Sequence, residues 1–324
     1  MRRKIIRQGS KEHGTYTITL PVKWVKQYGI KGGDEIEVEE RGSTVVVQSL
    51  NALIVPKEVT IDGREFTLTQ IRRHLSEAYR SGAQSITLLY KDKVMPQHRI
   101  SKRVLASTDI VAAVTDEMIG MEIEHKTAEK IVIRQFGEAI EEEFETALRK
   151  IFSKMHEQID LALEALTTMN HEQLFGLWAF DRGINRYVNF CLRVLNKKGH
   201  PDPKKLTNYY AALVQLEFLG DIIYMIGIDA AHFKMKKVDS SINEYLRVLQ
   251  KAIDAYTNYF YACNEHKVVE IIDYRQKLHD FENNNSKFKK LDVFNSRLLM
   301  RIHLSFDLLT NLTDQAISIG PCPE

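Results

Sequence analysis

The chain has 324 residues, 44% of them hydrophobic and 27% charged, and its formal net charge is +2. These values are ordinary for a soluble globular protein of two or three domains. The three cysteines, Cys191, Cys263 and Cys322, are far apart and form no CxxC pair. We therefore expect a reducing compartment, and the spacing excludes a disulfide framework and a thiolate zinc site.

The charges at the start of the chain are not followed by an apolar run of seven or more residues, so we expect no signal peptide. Residues 209–228 are mostly apolar but contain Gln215, Glu217 and Asp221 near their middle. An acidic side chain at a membrane midplane costs roughly 3 kcal/mol. This segment is therefore predicted to be a buried helix of a soluble bundle, and the protein to be cytoplasmic without membrane insertion.

The first fifty residues are strongly polarised in charge. Residues 1–31 carry eight cations against Glu12 alone, and residues 34–41 carry five acids against Arg41. In so short a module this pattern favours the recognition of a polyanion over catalysis. The alternative is a solvated basic edge strand that blocks aggregation. The side chains predicted to contact DNA are Arg2, Arg3, Lys4, Arg7, Lys11, Lys23 and Lys26.

Short elements are predicted in this first domain, residues 1–50. Alternation of apolar and polar residues indicates strands over 4–6, 15–20, 35–39 and 44–48. Pro21 opens a short helix over 22–28, since proline needs no donor at the first helical position. Gly29 can cap that helix, and residues 32–34 form a turn.

Residues 51–136 are predicted to form a small α/β connecting domain. Apolar residues at helical spacing indicate a helix over 66–80 that ends at Gly82, and a second helix is predicted over 99–117. Strands are predicted over 85–90, 122–125 and 130–134.

The third domain, residues 137–324, is predicted to be entirely helical. One apolar stripe runs from Phe144 to Leu166, and further helices are predicted over 171–198, 203–236, 240–264, 265–281 and 289–319. Asn170 is predicted to cap the second of these helices. Six helices suggest two three-helix units in tandem, so the whole chain is a mixed fold of β, α/β and all-α domains.

Two pairs of polar residues lie on the apolar faces of adjacent predicted helices. Asp181 and Asn185 are four residues apart, as are Glu217 and Asp221, so each pair shares a face. Buried carboxylates are costly unless they are paired or bound to a cation, and an all-oxygen set suits a hard metal ion. The alternative is a buried hydrogen-bond network in which Arg182, Arg186 or Arg193 answers the acids.

The second half of the helical domain carries a weaker echo of this pattern. Asp273 stands where Asp181 stands in the first half, and His303 and Asp307 mirror Glu217 and Asp221. Lys277 opposes metal binding there, so a solvated polar face is favoured over a metal site. The chain has no P-loop, no GxGxxG and no GxSxG, and it lacks the paired ExxH motifs of a metal oxidase; we therefore expect no enzyme.

The first 48 residues resemble the AbrB/MazE/SpoVT swapped-hairpin DNA-binding module. The residues that carry the resemblance are Gln8-Gly9, the run Tyr16–Pro21, Trp24, Gly29-Ile30-Lys31, Gly33-Asp34 and Ile36–Val38. The resemblance implies a homodimer, because each hairpin of that family completes its sheet only with a partner chain.

The helical region is similar to archaeal-type PhoU proteins, the phosphate-uptake regulators. Leu216-Glu217-xxx-Asp221 resembles that family's acidic signature, and Asp181-Arg182-xx-Asn185-Arg186 resembles its partner helix. Residues 118–122 add to the resemblance. Phe218 replaces an arginine of the family pattern, and the second repeat departs at Lys277 and His303.

Together the two resemblances imply a phosphate-responsive transcriptional regulator of phosphate uptake that binds DNA. They also imply a metal ion, divalent or trivalent (Mg, Mn, Fe or Zn), held by Asp181, Asn185, Glu217 and Asp221. A phosphate transporter or a signalling protein is the expected partner. The alternative is a regulator that acts on those proteins through contacts alone, with the N-terminal hairpin serving only dimerisation.

Overall fold

We describe the protein from a computed structural model that covers residues 2–9, 14–41, 44–49, 57–96, 104–136, 143–200, 202–233, 237–262, 265–284 and 291–320. The chain divides into two compact units, residues 1–56 and residues 57–324. Each unit is described by itself.

The described residues of unit 1 form two antiparallel strand pairs and one short helix. Strand β1 (Ile6–Gln8) pairs with β2 (Thr15–Thr17), and β3 (Ile36–Arg41) pairs with β4 (Thr44–Ser49). Between the two pairs lies α1 (Val22–Gln27), which Pro21 precedes; Gly29 adopts a φ of 63° just after it, as predicted for a glycine cap. The strands predicted from the sequence lie within two or three residues of these bounds.

The apolar side chains of unit 1 are only partly covered by its described residues. None of its described residues is buried. Large side chains that are more than half exposed are Ile5, Ile6, Tyr16, Ile18, Val22, Val38 and Val45. An isolated two-stranded hairpin is marginally stable in water, and a further surface over these side chains would stabilise the unit.

Unit 2 begins with a four-stranded sheet. Its strands are β5 (Glu58–Asp62), β6 (Ser85–Leu89), β9 (Met121–Lys126) and β10 (Lys130–Gln135). Their order in the sheet is β5-β6-β10-β9, with β5 parallel to β6 and the other pairs antiparallel. The helices of this part are α2 (Leu68–Arg80) and α3 (Ser107–Thr115), which share one apolar core with the sheet. A capping box of Thr67 and Gln70 begins α2.

Two predictions for this α/β part were incomplete. The helix predicted over 99–117 begins only at Ser107. The three residues before it form β8 (Val104–Ala106), which pairs with β7 (Val94–Pro96). Residues 99–103 lie outside the described residues. Strands β5 and β7 were not predicted. β5 alternates polar and apolar residues over only five positions, a signal too short to separate from a loop.

The remainder of unit 2 is helical, as predicted. The helices are α4 (Phe144–Thr168), α5 (His171–Lys198), α6 (Pro203–His232), α7 (Ser240–Ala262), α8 (Glu265–Asn284) and α9 (Val293–Ile319). These helices share one apolar core. Within it α4, α5 and α6 pack together, and α7 packs on α8 and α9. The two groups are joined where α4 contacts α7 and α6 contacts α9. Asn170 caps α5, as predicted.

The approach of α5 to α6 depends on two glycines of α6. A Cβ atom on Gly227 would lie 2.9 Å from the carbonyl oxygen of Leu174, and one on Gly220 would lie 3.0 Å from Ile184 Cδ1. The absence of a side chain at these positions lets the two helices pack closely. This packing brings the polar residues of α5 against those of α6.

Among the described helices, α6 is long and apolar enough to span a membrane by length and composition. Half of its apolar window is buried against other helices. This is the pattern of a core helix, consistent with the soluble bundle predicted for this segment.

Candidate functional site

The cationic residues predicted to bind DNA lie on the surface of unit 1. Six of them are exposed. Three precede β1 (Arg2, Arg3 and Lys4), one lies on β1 (Arg7), and two lie on α1 (Lys23 and Lys26). Lys11 lies outside the described residues. Exposed lysines and arginines are available to neutralise phosphates, which is the main source of affinity for DNA.

The β1–β2 pair places Arg7 directly opposite Tyr16, with the guanidinium carbon 6.0 Å from the centre of the ring. Asp34 closes the turn before β3, since its Oδ2 accepts from the backbone N–H of Lys31 at 2.8 Å. Gly33 precedes it with a φ of 98°, a conformation that favours glycine. The glycine-aspartate turn singled out in the sequence is thus a defined structural feature.

The polar residues predicted for the helical region do meet between α5 and α6. Asp181 and Asn185 are buried on α5, while Asp221 is half-buried on α6. Asn185 Nδ2 lies 3.5 Å from Asp181 Oδ2, and Asp181 hydrogen-bonds to Asp221. We call Asp181, Glu217 and Asp221 the acidic cluster.

Burial sets the protonation of this cluster. It raises the pKa of Asp181 to about 8, with the charge of Asp221 and the hydrogen bond to it acting in the same direction. Burial also raises the pKa of Asp221, although its hydrogen bond to Asp181 and the charge of Arg72 oppose the rise. At pH 7 Asp181 therefore holds a proton that it shares with Asp221.

Glu217 is engaged by an arginine that the sequence analysis missed. Nη2 of Arg80, in the last turn of α2, donates to Glu217 Oε1 at 2.7 Å and to Oε2 at 2.8 Å. Arg80 Nε also donates to Asn189 Oδ1 on α5. The two ion-paired residues are 137 positions apart and belong to different predicted domains, so no local pattern could have found the pair.

The arginines expected to answer the acids have other partners. Arg182 Nε lies 3.1 Å from Glu117 Oε1, which also accepts from Arg72, and Arg186 is exposed. Arg193 is buried and donates from Nη1 to the carbonyl oxygens of Tyr79 and Ala83, both at 2.8 Å. Glu217 is thus bound by Arg80, and not by one of the three arginines considered from the sequence.

The weaker set in the second half does not assemble into a site among the described residues. Asp273 is exposed, and Asp307 accepts from Arg275 at 2.8 and 3.0 Å. The ring of His303 lies 5.6 Å from that of His279. This arrangement is the polar helix face that the sequence favoured.

The acidic cluster does not fit a preformed metal centre. No group of three or more His, Cys, Asp or Glu side chains that could hold a metal ion occurs in the described ranges. Both oxygens of Glu217 accept from a guanidinium, and Asp181 holds a proton at pH 7. The buried Oδ1 atoms of Asp181 and Asn185 lack a donor among the described groups, but the cluster already holds the Arg80 guanidinium, whose charge repels a second cation.

Comparison with known proteins identifies a family for part of unit 1. Residues 13–57 match the family described as antidote-toxin recognition MazE, bacterial antitoxin. A search of the curated proteins finds no match. The family match supports a general DNA-binding, regulatory role for this segment, in agreement with the resemblance noted from the sequence.

Proposed function

We propose that the protein is a dimeric DNA-binding regulator whose helical region responds to phosphate status. The observation that carries the first half of this proposal is the composition of the unit 1 surface. Exposed apolar side chains and six exposed cations share this surface, and two of the cations, Lys23 and Lys26, lie in the segment that matches the MazE family. A second copy supplies the cover that the apolar residues need, and the cations then face DNA from both chains.

Two copies of a short basic module bind DNA better than one. A dimer presents two sets of phosphate contacts, and linking them makes the second contact intramolecular. The exposed cations position the protein on the backbone; sequence recognition needs a few side chains to enter a groove. The exposed Arg7 and Tyr16, opposite each other on β1 and β2, are placed for such a contact.

The proposed link to phosphate depends on the resemblance of the helical region to PhoU. Two groups of three helices with a shared core agree with the tandem units expected of that family. The acidic residues of the signature lie together between α5 and α6. The helical region is then the sensing part of the protein and unit 1 its output.

The test is a titration of fluorescent duplex DNA with the full-length protein in inorganic phosphate and in sulfate of equal ionic strength. The proposal expects saturable binding whose affinity differs between the two anions. Equal affinity for DNA in both anions would contradict the phosphate response but not the binding of DNA.

A second function is favoured by the uncovered apolar residues alone. They are compatible with a hairpin that serves only dimerisation, while the helical region acts on a phosphate transporter or a signalling protein through contacts. The same titration separates the two functions, because this second one predicts no DNA binding even at low salt.

A further inference from the structure

Arg80 connects the α/β part of unit 2 to its helical part. Its side chain is 16% exposed and directs Nε and Nη2 towards α5 and α6, where they meet Asn189 and Glu217. Nη1 lies 3.1 Å from Glu77 Oε1, one turn earlier on α2. The guanidinium is thus held on three sides, and two of its partners belong to the helical part.

The backbone of the same turn is fixed independently of the Arg80 side chain. Asn196 Nδ2 donates to the carbonyl oxygen of Arg80 at 2.8 Å, and Arg193 donates to those of Tyr79 and Ala83. Carbonyls at a helix C-terminus lack partners within the helix, so these donors from α5 satisfy them. The end of α2 is therefore seated on α5 by hydrogen bonds that do not involve the Arg80 guanidinium.

Cations already surround the acidic cluster. The Arg80 guanidinium pairs with both carboxylate oxygens of Glu217. Arg72 is a further nearby cation, whose Nη2 donates to Glu117 Oε2 at 2.9 Å. Its charge opposes the rise that burial causes in the pKa values of Asp181 and Asp221. A divalent cation placed here would meet the positive charges of two guanidinium groups.

We propose that the acidic cluster is an intramolecular docking site for Arg80 of α2, and that this guanidinium stands where the family resemblance places a metal ion. A cation and Arg80 then compete for Glu217, so that divalent metal binds only after Arg80 has been removed. The inference is independent of DNA binding and of any response to phosphate.

The experiment is a titration of the full-length protein with Mn²⁺ at pH 7, in which free Mn²⁺ is followed by its electron paramagnetic resonance signal. Wild type is expected to bind no ion at the cluster. Arg80→Ala is expected to gain one site with affinity about tenfold or more above wild type, because a unit charge a few ångströms from the carboxylates has been removed. Arg73→Ala, at an exposed position of α2, is the matched control and should behave as wild type.

The double variant Arg80→Ala/Glu217→Gln tests whether a Mn²⁺ site gained by Arg80→Ala includes Glu217. It should lack that site. A gain that survives in the double variant would place the ion elsewhere and overturn the proposal. Saturable binding of one Mn²⁺ per wild-type chain, no weaker than in Arg80→Ala, would also overturn it. If Arg80→Ala fails to fold, tight binding of one Mn²⁺ per wild-type chain would overturn the proposal without that comparison.

Discussion

Asp181 of α5 and Asp221 of α6 meet where the two helices pack together and share a hydrogen bond. Two carboxyl groups in contact cannot both ionise at low cost, so one proton stays with the pair near neutral pH. The pair therefore ties the packing of α5 on α6 to pH.

Replacing Asp181 with Asn should make the protein more stable at alkaline pH. The folded-state pKa of Asp181 is raised to about 8 from its ordinary value of 3.8, so its contribution to stability is lost as pH rises towards 8. Asp181→Asn removes that loss and should gain up to about 5 kcal/mol at pH 8 relative to its effect at pH 4, at about 1.4 kcal/mol per pKa unit. Urea unfolding across this range measures the difference.

The matched control for this change is Asp314→Asn, at an exposed position of α9, which should leave the pH profile unchanged. An Asp181→Asn profile parallel to that of wild type would show that the aspartate pair does not hold a proton.

The ion pair of Arg80 and Glu217 should contribute measurably to stability. Their side chains are 16% and 22% exposed, so either Arg80→Ala or Glu217→Gln leaves a partly buried group without its partner. We expect each single change to cost about 1–3 kcal/mol and the double change to cost less than their sum. Denaturant unfolding of the four proteins gives the coupling energy.

The exposed pair of Lys91 and Glu65 is the control for that cycle. Its side chains are 59% and 80% exposed, so its coupling energy should be much smaller than that of Arg80 and Glu217. A coupling at Arg80 and Glu217 no larger than this would mean that their ion pair does not hold the two parts of unit 2 together.

The buried guanidinium of Arg193 should be irreplaceable by lysine. It donates to two carbonyl oxygens and, through Nη2, to Gln135 Oε1 at 2.9 Å, and it lies 4.8 Å from the centre of the Tyr79 ring. A single ammonium cannot reproduce this fork. Arg193→Lys should cost about 2 kcal/mol or more and increase hydrogen exchange at the end of α2. Unchanged exchange there would contradict the assigned role.

The sequence was informative where a pattern is local. The apolar stripes predict the helices of the bundle, Asn170 predicts a cap, and the four-residue spacings of Asp181 with Asn185 and of Glu217 with Asp221 place each pair on one helix face. The partner of Glu217 could not be predicted in this way. Arg80 comes to α6 only because α2 docks on α5, and that docking depends on contacts between segments more than a hundred residues apart.

An acidic substitution on the apolar face of unit 1 should dissociate the proposed dimer. Val38 is 59% exposed in the single chain, where Val38→Asp would be nearly neutral. If a second chain covers this face, the change buries an unpaired carboxylate and should turn a dimer into a monomer in sedimentation analysis. Thr60→Asp, at an exposed position of β5, is the control and should remain dimeric. Dimeric Val38→Asp would show that this face is not an interface.

The decisive measurement for a DNA-binding role of unit 1 is the affinity of the full-length protein for duplex DNA as a function of salt. We expect log affinity to fall linearly with log salt, and the variant Arg2→Ala/Arg3→Ala/Lys4→Ala to reduce the slope by roughly one for each phosphate that is no longer neutralised. The charge-matched variant Lys91→Ala/Lys126→Ala/Lys130→Ala, exposed in unit 2, should keep the wild-type slope. Absence of binding at low salt, or equal slopes for all three proteins, would contradict this role.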